Sequence, residues 1–532
     1  MQHKREMPWL LRHPSLLLWL ATLVVWLPWL GNQPLRDWDE GIVASVAHAT
    51  MSQTGLDRLI AIQWTNAYLN KPPGLHWLIG YITNTFTTQE WGIRLGPALI
   101  SSLAIPLLVE LRTELDHKDK QPSGRCRSRT VASIAGVVLM TLLPMARHGR
   151  LTMLDGSLVS CSLLLFYGQL LGRRMAVGGL LAGLGSSGIL LLKPPAIMGF
   201  LAIAIAWQWW QRQRVSRHFV WGVCMGLIPG ITWHLWHFHE QGSAAFIMWG
   251  SQGLARVTTT IEGNDGAWIT PLLQIIQGGW PWLLFLPMGV AWAWKHRHQD
   301  SGRFELILLT GTALMVLPLK TQLPWYSHLL WPAIALLCAE SLYELIDQGR
   351  QRWAGRSLFG LGSLLLIAMG LSALIWNTPV ELPWGSITMA GLALCLGGWQ
   401  LNSSARKMRS RGFFLLAAGW SLALLLFWQS ETWLWELNET WEPRPLAQQI
   451  LALPTDAIVM HEGPDHPALE WYAGRQISRY QESIRDPFKP TYIVTDQERS
   501  GCNLAQEHQQ KGWSLLICPR ASSTPGNLKN QQ

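Results

Sequence analysis

Charged side chains are scarce in this sequence. Only 14% of the 532 residues are Asp, Glu, Lys or Arg, whereas 49% are hydrophobic. A water-soluble protein of this length needs more charge to cover its surface. The composition therefore excludes an ordinary soluble fold and indicates a chain whose surface largely faces lipid.

Cysteine is also rare, with seven residues and no Cys-X-X-Cys pair. The sequence thus lacks the spacing that structural zinc sites use. Cys502 and Cys518 alone fall in the polar C-terminal part of the chain. We predict that they form a disulfide if that part lies in an oxidising compartment.

Long apolar runs supply most of the chain up to residue 428. The runs cover residues 14–30, 93–111, 131–144, 155–171, 175–192, 195–210, 219–236, 271–294, 304–318, 326–342, 357–375, 384–400 and 412–428. Runs of this length predict membrane-spanning helices. The 33 Trp residues suit the two membrane interfaces. No small-residue cleavage site follows Leu30, so we interpret the first run as a retained helix.

The basic residues indicate an orientation. With the N-terminus in the cytoplasm, the inside segments up to residue 428 hold 24 Lys and Arg, and the outside segments hold nine. This agrees with the positive-inside rule. The inside loops also account for the net charge of +9, so the charge gives no reason to expect nucleic acid as a partner.

Two domains are predicted. Residues 1–428 form a mainly α transmembrane bundle of about 11–13 helices, with a long outside loop at 31–92 in which a helix begins near Ile42. Residues 429–532 form a small outside α/β domain. Its expected strands are 456–460, 491–495 and 515–518, and its expected helices are 467–472 and 503–510.

Ionisable residues gather on the predicted outside face. They are Asp39, Glu40, Lys71, Arg147, His148, Arg150, Asp155, Lys193, Arg256 and Lys320, with Tyr326 beside them. Such residues are costly near lipid and often functional. Cations here could hold a phosphate while a carboxylate accepts a proton from a hydroxyl. Taken singly, the carboxylates could equally be helix caps, and the lysines before proline could be snorkelling anchors.

A resemblance joins these features. The chain resembles the aminoarabinose transferase and protein O-mannosyltransferase families, which are membrane glycosyltransferases of the GT-C class with polyprenyl-phosphate sugar donors. The similarity covers most of residues 30–345 and extends to the C-terminal segment 429–532, called the tail below. It is carried by Asp39-Glu40 and by residues 68–77 (YLNKPPGLHW), 94–99 (RLGPAL), 150–155 (RLTMLD), 193–195 (KPP), 256, 281–283 (PWL), 323–326 (LPWY), 330–332 (LWP) and 470–475 (EWYAGR).

The resemblance implies a role for each matching position. Asp39 would be the catalytic base, with Glu40 beside it, and Asp155 would support the site or the acceptor. The donor phosphate would be held by Lys71, Arg256 and Tyr326. The remaining cavity candidates are Lys193, Arg150 and Lys320.

Two positions depart from the family pattern. Gly41-Ile42-Val43 replaces the usual small residue, Arg and Tyr, and Gln322 stands where a basic residue is common. No metal site and no certain cofactor are predicted, although the adjacent carboxylates leave a divalent metal open.

The function expected from these features is inverting transfer of a sugar from a polyprenyl-phosphate donor to a lipid, such as a lipid A-like glycolipid, or to a protein. It would take place at the outer face of the cytoplasmic (inner) membrane. The alternatives are a transporter or flippase for an anionic lipid-linked substrate, or a membrane scaffold. Transporters usually show internal repeats and helices broken near the bilayer midplane, and we find neither pattern in the sequence.

Overall fold

The structure is a computed structural model that describes residues 13–117, 122–212, 215–260, 269–375, 382–434, 442–481, 491–497, 502–504 and 513–518. The expected mainly α architecture with a small C-terminal sheet is confirmed. The helices of the first part are α1 (Pro14–Trp26), α2 (Ile42–Ser52), α3 (Gly74–Thr85), α4 (Glu90–Ser102), α5 (Ala104–Leu115), α6 (Pro122–Thr141), α7 (Leu143–Arg150), α8 (Leu154–Leu171), α9 (Val177–Leu192), α10 (Ala196–Gln211) and α11 (Arg217–Gln241).

Those of the second part are α12 (Ala255–Thr258), α13 (Thr270–Gly278), α14 (Leu286–Lys295), α15 (Asp300–Val316), α16 (Trp331–Gln348), α17 (Trp353–Ile375), α18 (Trp384–Leu401), α19 (Arg406–Gln429), α20 (Arg444–Leu451) and α21 (Pro467–Ala473). Every apolar run predicted from the sequence overlaps at least one of these helices, because a helix satisfies the backbone hydrogen bonds of an apolar segment internally.

The chain is a multi-pass membrane protein. Six described helical stretches are long and apolar enough to cross a membrane, or seven if a bent pair counts as one span. They are Glu90–Leu115, Leu154–Leu171, Arg217–Phe246, Pro324–Gln348, Trp353–Leu374 and Arg406–Gln429. Within Trp353–Leu374, only 11% of the most apolar segment is buried against the rest of the protein. Apolar surface left open to this extent is suited to lipid.

Two predicted spans are bent or broken. α6 and α7 meet at an angle of 61°, where Pro144 lies in the first turn of α7. The run 271–294 was predicted as one helix, but it consists of α13, a 3₁₀ turn at Trp282–Phe285 and α14. Pro281 explains this break, because proline lacks the N–H that a continuous helix needs.

The loop at 31–92 folds into compact structure at one end of the bundle, called the loop end below. It contains a π-helical turn at Asp37–Gly41, the helices α2 and α3, a 3₁₀ turn at Gly55–Leu59, and a short antiparallel pair, β1 (Ile62–Gln63) and β2 (Asn66–Ala67). A buried apolar cluster joins α2 and α3 to the membrane helices and to the tail. Its members include Val43, Leu75, Ile93, Leu192 and Ala468.

The tail forms a five-stranded sheet in the order β4-β3-β5-β7-β6. The strands are β3 (Ile458–His461), β4 (Ser478–Arg479), β5 (Thr491–Thr495), β6 (Asn503–Leu504) and β7 (Ser514–Cys518). β3 pairs in parallel with β4 and β5, whereas β7 pairs antiparallel with β5 and β6.

The predicted disulfide is present between Cys502 and Cys518. The helix predicted at 503–510 is wrong at its start, because Asn503 and Leu504 pair with β7 as a strand. Residues 505–510 lie outside the described part of the chain. The disulfide next to Asn503 holds this segment beside β7, where its backbone groups find partners in the sheet.

Candidate active site

A cavity of about 710 Å³ opens at the loop end of the bundle. Six of the residues singled out from the sequence line it, each from a different segment. They are Asp39 in the π-helical turn, Lys71 before α3, Asp155 in the first turn of α8, Lys193 after α9, Arg256 in α12 and Tyr326 in the 3₁₀ turn Pro324–Leu330. The fold therefore brings together residues that are up to 287 positions apart in the sequence (39 to 326).

The cavity lining includes charged and apolar side chains, and these two sets of residues are called the charged wall and the apolar wall below. The charged wall carries the residues named above, whereas the apolar wall is formed by α10, α15 and their neighbours. Its members include Met198, Leu314, Met315, Leu319 and Leu329. An amphiphile with an anionic head and a hydrocarbon chain would match both walls.

Asp39 is the carboxylate of the π-helical turn that faces this cavity. Its side chain is 20% exposed, and Arg36 Nη2 lies 3.6 Å from its Oδ2. Oδ2 accepts no hydrogen bond from any residue that the structure describes. Burial raises the pKa of Asp39 above its ordinary value, although Arg36 and Lys71 partly offset the effect. Asp39 is thus a carboxylate whose basicity is increased and whose Oδ2 can accept a proton.

Glu40 is differently placed, although it follows Asp39 directly. It is fully buried and does not line the cavity. Its Oε1 accepts hydrogen bonds from Arg94 Nε at 2.8 Å and from the backbone N–H of Thr152 at 2.8 Å. Its Oε2 accepts from Arg94 Nη2 at 2.6 Å and from the backbone N–H of Arg36 at 3.1 Å. Burial alone would raise the pKa of Glu40, but Arg94 and these hydrogen bonds bring it below its ordinary value. The geometry makes Glu40 an anchor of the turn. Its catalytic role, expected from the sequence, stays a prediction.

Three cations line the cavity together with Asp39. Lys193 Nζ lies 3.3 Å from Asp155 Oδ1 and 4.7 Å from the centre of the Tyr326 ring. Arg256 Nη1 donates a hydrogen bond to the Tyr326 hydroxyl at 3.1 Å. Lys71 is the third cation, and burial lowers its pKa although Asp39 opposes the shift. Cations held this close to one another are suited to a phosphate.

Further contacts fix these groups in place. Arg256 Nε donates to the backbone carbonyl of Gln252 at 3.1 Å, and its Nη2 donates to the Gln252 side-chain oxygen at 3.2 Å. Burial alone would lower the pKa of Lys193, but the Asp155 carboxylate outweighs this and the pKa is raised. Asp155 therefore keeps Lys193 charged inside the cavity.

Two residues expected at the cavity do not line it. Arg150 is fully buried, and it donates to the backbone carbonyls of Trp26, Pro28 and Trp29. Its guanidinium also lies 4.4 Å from the centre of the Trp428 ring. Lys320 is exposed and lies outside the cavity lining. All of these residues lie near the membrane interface in the sequence, so sequence position did not distinguish Arg150 and Lys320 from the residues that line the cavity.

The structure also adds residues that sequence reasoning missed. Trp38, Thr152, Gln252 and Trp325 line the cavity. Asp37 contacts the tail, where His466 Nδ1 lies 2.8 Å from its Oδ2. Within the described residues, no group of three or more His, Cys, Asp and Glu side chains is arranged to hold a metal ion.

Known proteins share this fold. The structure superposes on the crystal structure of ArnT from Cupriavidus metallidurans in the apo state with a TM-score of 0.73, at 15% identity, over 94% of this chain and 97% of that one. For ArnT from the same organism bound to undecaprenyl phosphate, the TM-score is 0.70 at 14% identity, over 97% and 99% of the two chains.

Sequence comparison points the same way, although no family model matches the chain. The chain is 25% identical over 403 residues to an undecaprenyl phosphate-alpha-4-amino-4-deoxy-L-arabinose arabinosyl transferase of Pseudomonas fluorescens, covering 69% of each protein. A second such transferase of P. fluorescens is 24% identical over 436 residues, 77% of this chain and 74% of the relative.

These matches confirm the resemblance found in the sequence: the chain is a membrane-embedded glycosyltransferase with the fold of the ArnT structures. Within that class, it is similar to the aminoarabinose transferases that use undecaprenyl phosphate-linked sugar.

Proposed function

We propose that this protein transfers a sugar from an undecaprenyl-phosphate donor to a hydroxyl or phosphate oxygen of a lipid acceptor. The observation that carries the proposal is the cavity with its two walls. Lys71, Lys193 and Arg256 would hold the phosphate, and the apolar wall would hold the first isoprene units. The relatives are named for such a donor, and ArnT has been crystallised with undecaprenyl phosphate.

The reaction follows from the positions of these groups. The acceptor oxygen would attack the anomeric carbon from the side opposite the phosphate, which inverts the configuration there. The bond between the anomeric carbon and the phosphate oxygen breaks, and undecaprenyl phosphate leaves with the electron pair. When the acceptor is a hydroxyl, Asp39 takes its proton, which its raised pKa favours.

The cations do more than bind the donor. A phosphodiester donor carries one negative charge, whereas the departing phosphate monoester gains a second. Lys71, Lys193 and Arg256 therefore attract the departing phosphate more strongly than the intact donor, and only such differential binding lowers the barrier. Tyr326 would orient Arg256 through its hydroxyl, and Asp155 would orient Lys193.

We also propose an orientation in the cytoplasmic (inner) membrane, with the N-terminus inside and the loop end with the tail domain (residues 429–532) outside. Two features support it. The predicted inside segments hold 24 Lys and Arg against nine outside. The tail contains the disulfide, whereas the other five cysteines are free thiols. Labelling of single-cysteine variants with a membrane-impermeant reagent in intact cells tests the orientation.

The decisive experiment is transfer from a panel of radiolabelled undecaprenyl-phosphate sugars, including 4-amino-4-deoxy-L-arabinose, to separated lipid and protein fractions. We expect label in the lipid fraction with the wild type and none with Asp39→Asn. Label in the protein fraction would show that the acceptor is a protein and not a lipid. The absence of transfer from every donor would favour the alternative that the protein is a transporter.

A further inference from the structure

Asp37 joins the catalytic turn to the tail domain. His466 Nδ1 donates to Asp37 Oδ2 at 2.8 Å, and the backbone N–H of Ala468 donates to Asp37 Oδ1 at 3.0 Å. Asp37 and His466 are both buried, with side chains 7% and 8% exposed. The Trp513 ring packs edge-on against His466, with 4.4 Å between ring centres. Both oxygens of Asp37 are thus held by the tail.

The turn lies very close to the tail at its other end as well. A Cβ atom on Gly41 would lie 2.4 Å from the backbone nitrogen of Ala468 and 2.7 Å from the carbonyl carbon of Pro467. Only glycine permits this approach. The close approach accounts for the glycine at position 41. The tail therefore contacts the turn on both sides of Asp39 in the sequence.

The membrane helices hold the turn from another direction. Glu40 is bound to Arg94 of α4 through two hydrogen bonds. The backbone of the turn is closed by hydrogen bonds from the N–H groups of Glu40 and Gly41 to the Arg36 carbonyl, at 3.3 and 2.9 Å. Asp39 thus lies between an anchor to the tail and an anchor to the bundle, so displacement of Asp37 must move Asp39.

We infer that Asp37 and His466 are positioning residues for the transfer reaction, and that the tail domain thereby completes the active site. The inference rests on the proposed function, because it assigns Asp39 to the chemical step. Neither Asp37 nor His466 lines the cavity. Their loss would leave the donor site intact and misplace Asp39. A misplacement of about 1 Å can slow a reaction on the order of 100-fold.

The test uses full-length protein and compares His466→Asn with His466→Gln. The amide nitrogen of Asn lies near the position of Nδ1, whereas that of Gln lies near the position of Nε2. We expect His466→Asn to keep most of the wild-type kcat. His466→Gln and Asp37→Ala should lose about 100-fold in kcat, with the KM for the undecaprenyl-phosphate sugar within about twofold of the wild type.

The control is Trp64→Phe. Trp64 Nε1 donates to Glu470 Oε2 at 3.2 Å, so this variant removes another contact between the loop and the tail without touching the turn. We expect wild-type kcat. Equal kcat in His466→Asn, His466→Gln and wild type would overturn the inference, as would an equal loss in Trp64→Phe. A wild type that transfers no sugar would instead refute the proposed function, so the two failures can be told apart.

Should the variants of His466 not accumulate in membranes, Asp37→Asn provides the second measurement. Its side chain keeps the size of Asp37 and an oxygen for the Ala468 N–H. We expect an intermediate loss in kcat, because only the charge-assisted bond to His466 is weakened. Unchanged kcat in this variant would count against the inference.

Discussion

Arg94 binds both side-chain oxygens of Glu40, at 2.8 and 2.6 Å, with neither residue exposed to solvent. The pair connects α4 to the turn that carries Asp39. Arg94 also donates to the backbone carbonyls of Leu30, Gln33 and Pro34. One guanidinium therefore fixes the whole entry of the chain into the loop.

We predict that Glu40→Gln destabilises the protein. Breaking a buried ion pair leaves an uncompensated charge and costs about 3–5 kcal/mol. Thermal unfolding in detergent, followed by tryptophan fluorescence, measures the change. Asp57→Asn, which alters an exposed carboxylate of the same loop, is the control. A Glu40→Gln protein with unchanged stability and abolished transfer would show instead that Glu40 takes part in the chemistry.

Asp39→Asn should abolish transfer without loss of stability. The pKa of Asp39 is raised in the folded protein, so its ionised form at neutral pH disfavours folding, and this cost is absent in the neutral amide. We expect a melting temperature equal to or above that of the wild type, and unchanged binding of undecaprenyl phosphate. A lower melting temperature for Asp39→Asn than for the wild type would contradict the view that the ionised Asp39 carboxylate destabilises the folded protein.

The wild-type rate should also depend on pH. A general base must be deprotonated, so kcat should fall as the pH drops through the raised pKa of Asp39. The acid limb should therefore lie above the range of an ordinary aspartate, which is about 3.9. A pH profile of kcat under donor saturation tests this. An acid limb at or below that ordinary value would argue against Asp39 as the base.

The phosphate assignment predicts a ranking of variants. Arg256→Gln removes a charged donor, worth about 1.5–3 kcal/mol, or roughly 10- to 100-fold in affinity for undecaprenyl phosphate. Tyr326→Phe removes only the hydroxyl that accepts from Arg256, and should cost about tenfold or less. Calorimetry with undecaprenyl phosphate measures both. Lys320→Gln, an exposed cation outside the cavity, should bind as the wild type does. Equal affinities of all three variants for undecaprenyl phosphate would contradict the assignment of Arg256 and Tyr326 to the phosphate site.

Gly41→Ala should inactivate the protein through a steric effect. The backbone of Gly41 is helical, with φ of −60°, so alanine fits the conformation but its Cβ meets the backbone of Ala468. We expect loss of transfer together with faster proteolysis of the tail. Gly360→Ala is the matched control, because a Cβ there meets nothing within 4 Å and alanine favours a helix. An active Gly41→Ala protein would show that the close approach is dispensable.

The disulfide should stabilise the tail sheet locally. It joins residues 16 positions apart, a loop for which chain entropy gives about 3 kcal/mol. Alkylation of denatured protein without reductant should modify five thiols, and seven after reduction. Cys502→Ser should expose the tail to protease, whereas Cys126→Ser, an exposed free thiol elsewhere, should not. Seven modified thiols without reductant would disprove the bond.

Several features of the fold could be predicted because they depend on local properties of the chain. A long apolar run must form a helix in lipid, since no water is available for its backbone groups. Each of the thirteen runs therefore overlaps a helix. Six of the cavity residues were also identifiable, because an ionisable group at the end of an apolar run is costly unless it has a use. The bend at Pro144 and the break at Pro281 are not reported by hydropathy, because hydropathy does not register the backbone N–H that each proline lacks.

Hydropathy, composition and charge were sufficient to predict a polytopic membrane protein, a polar tail with a cysteine pair, and a set of acidic and basic residues at one end. The roles of these residues depend on the contacts that the folded chain makes. Asp39 and Glu40 are neighbours with the same chemistry, and they differ because Arg94 lies beside one and the cavity beside the other. Asp37 binds His466, 429 residues away. Hydropathy and charge are properties of a segment, whereas the partner of a buried charge depends on which distant segment the fold places next to it.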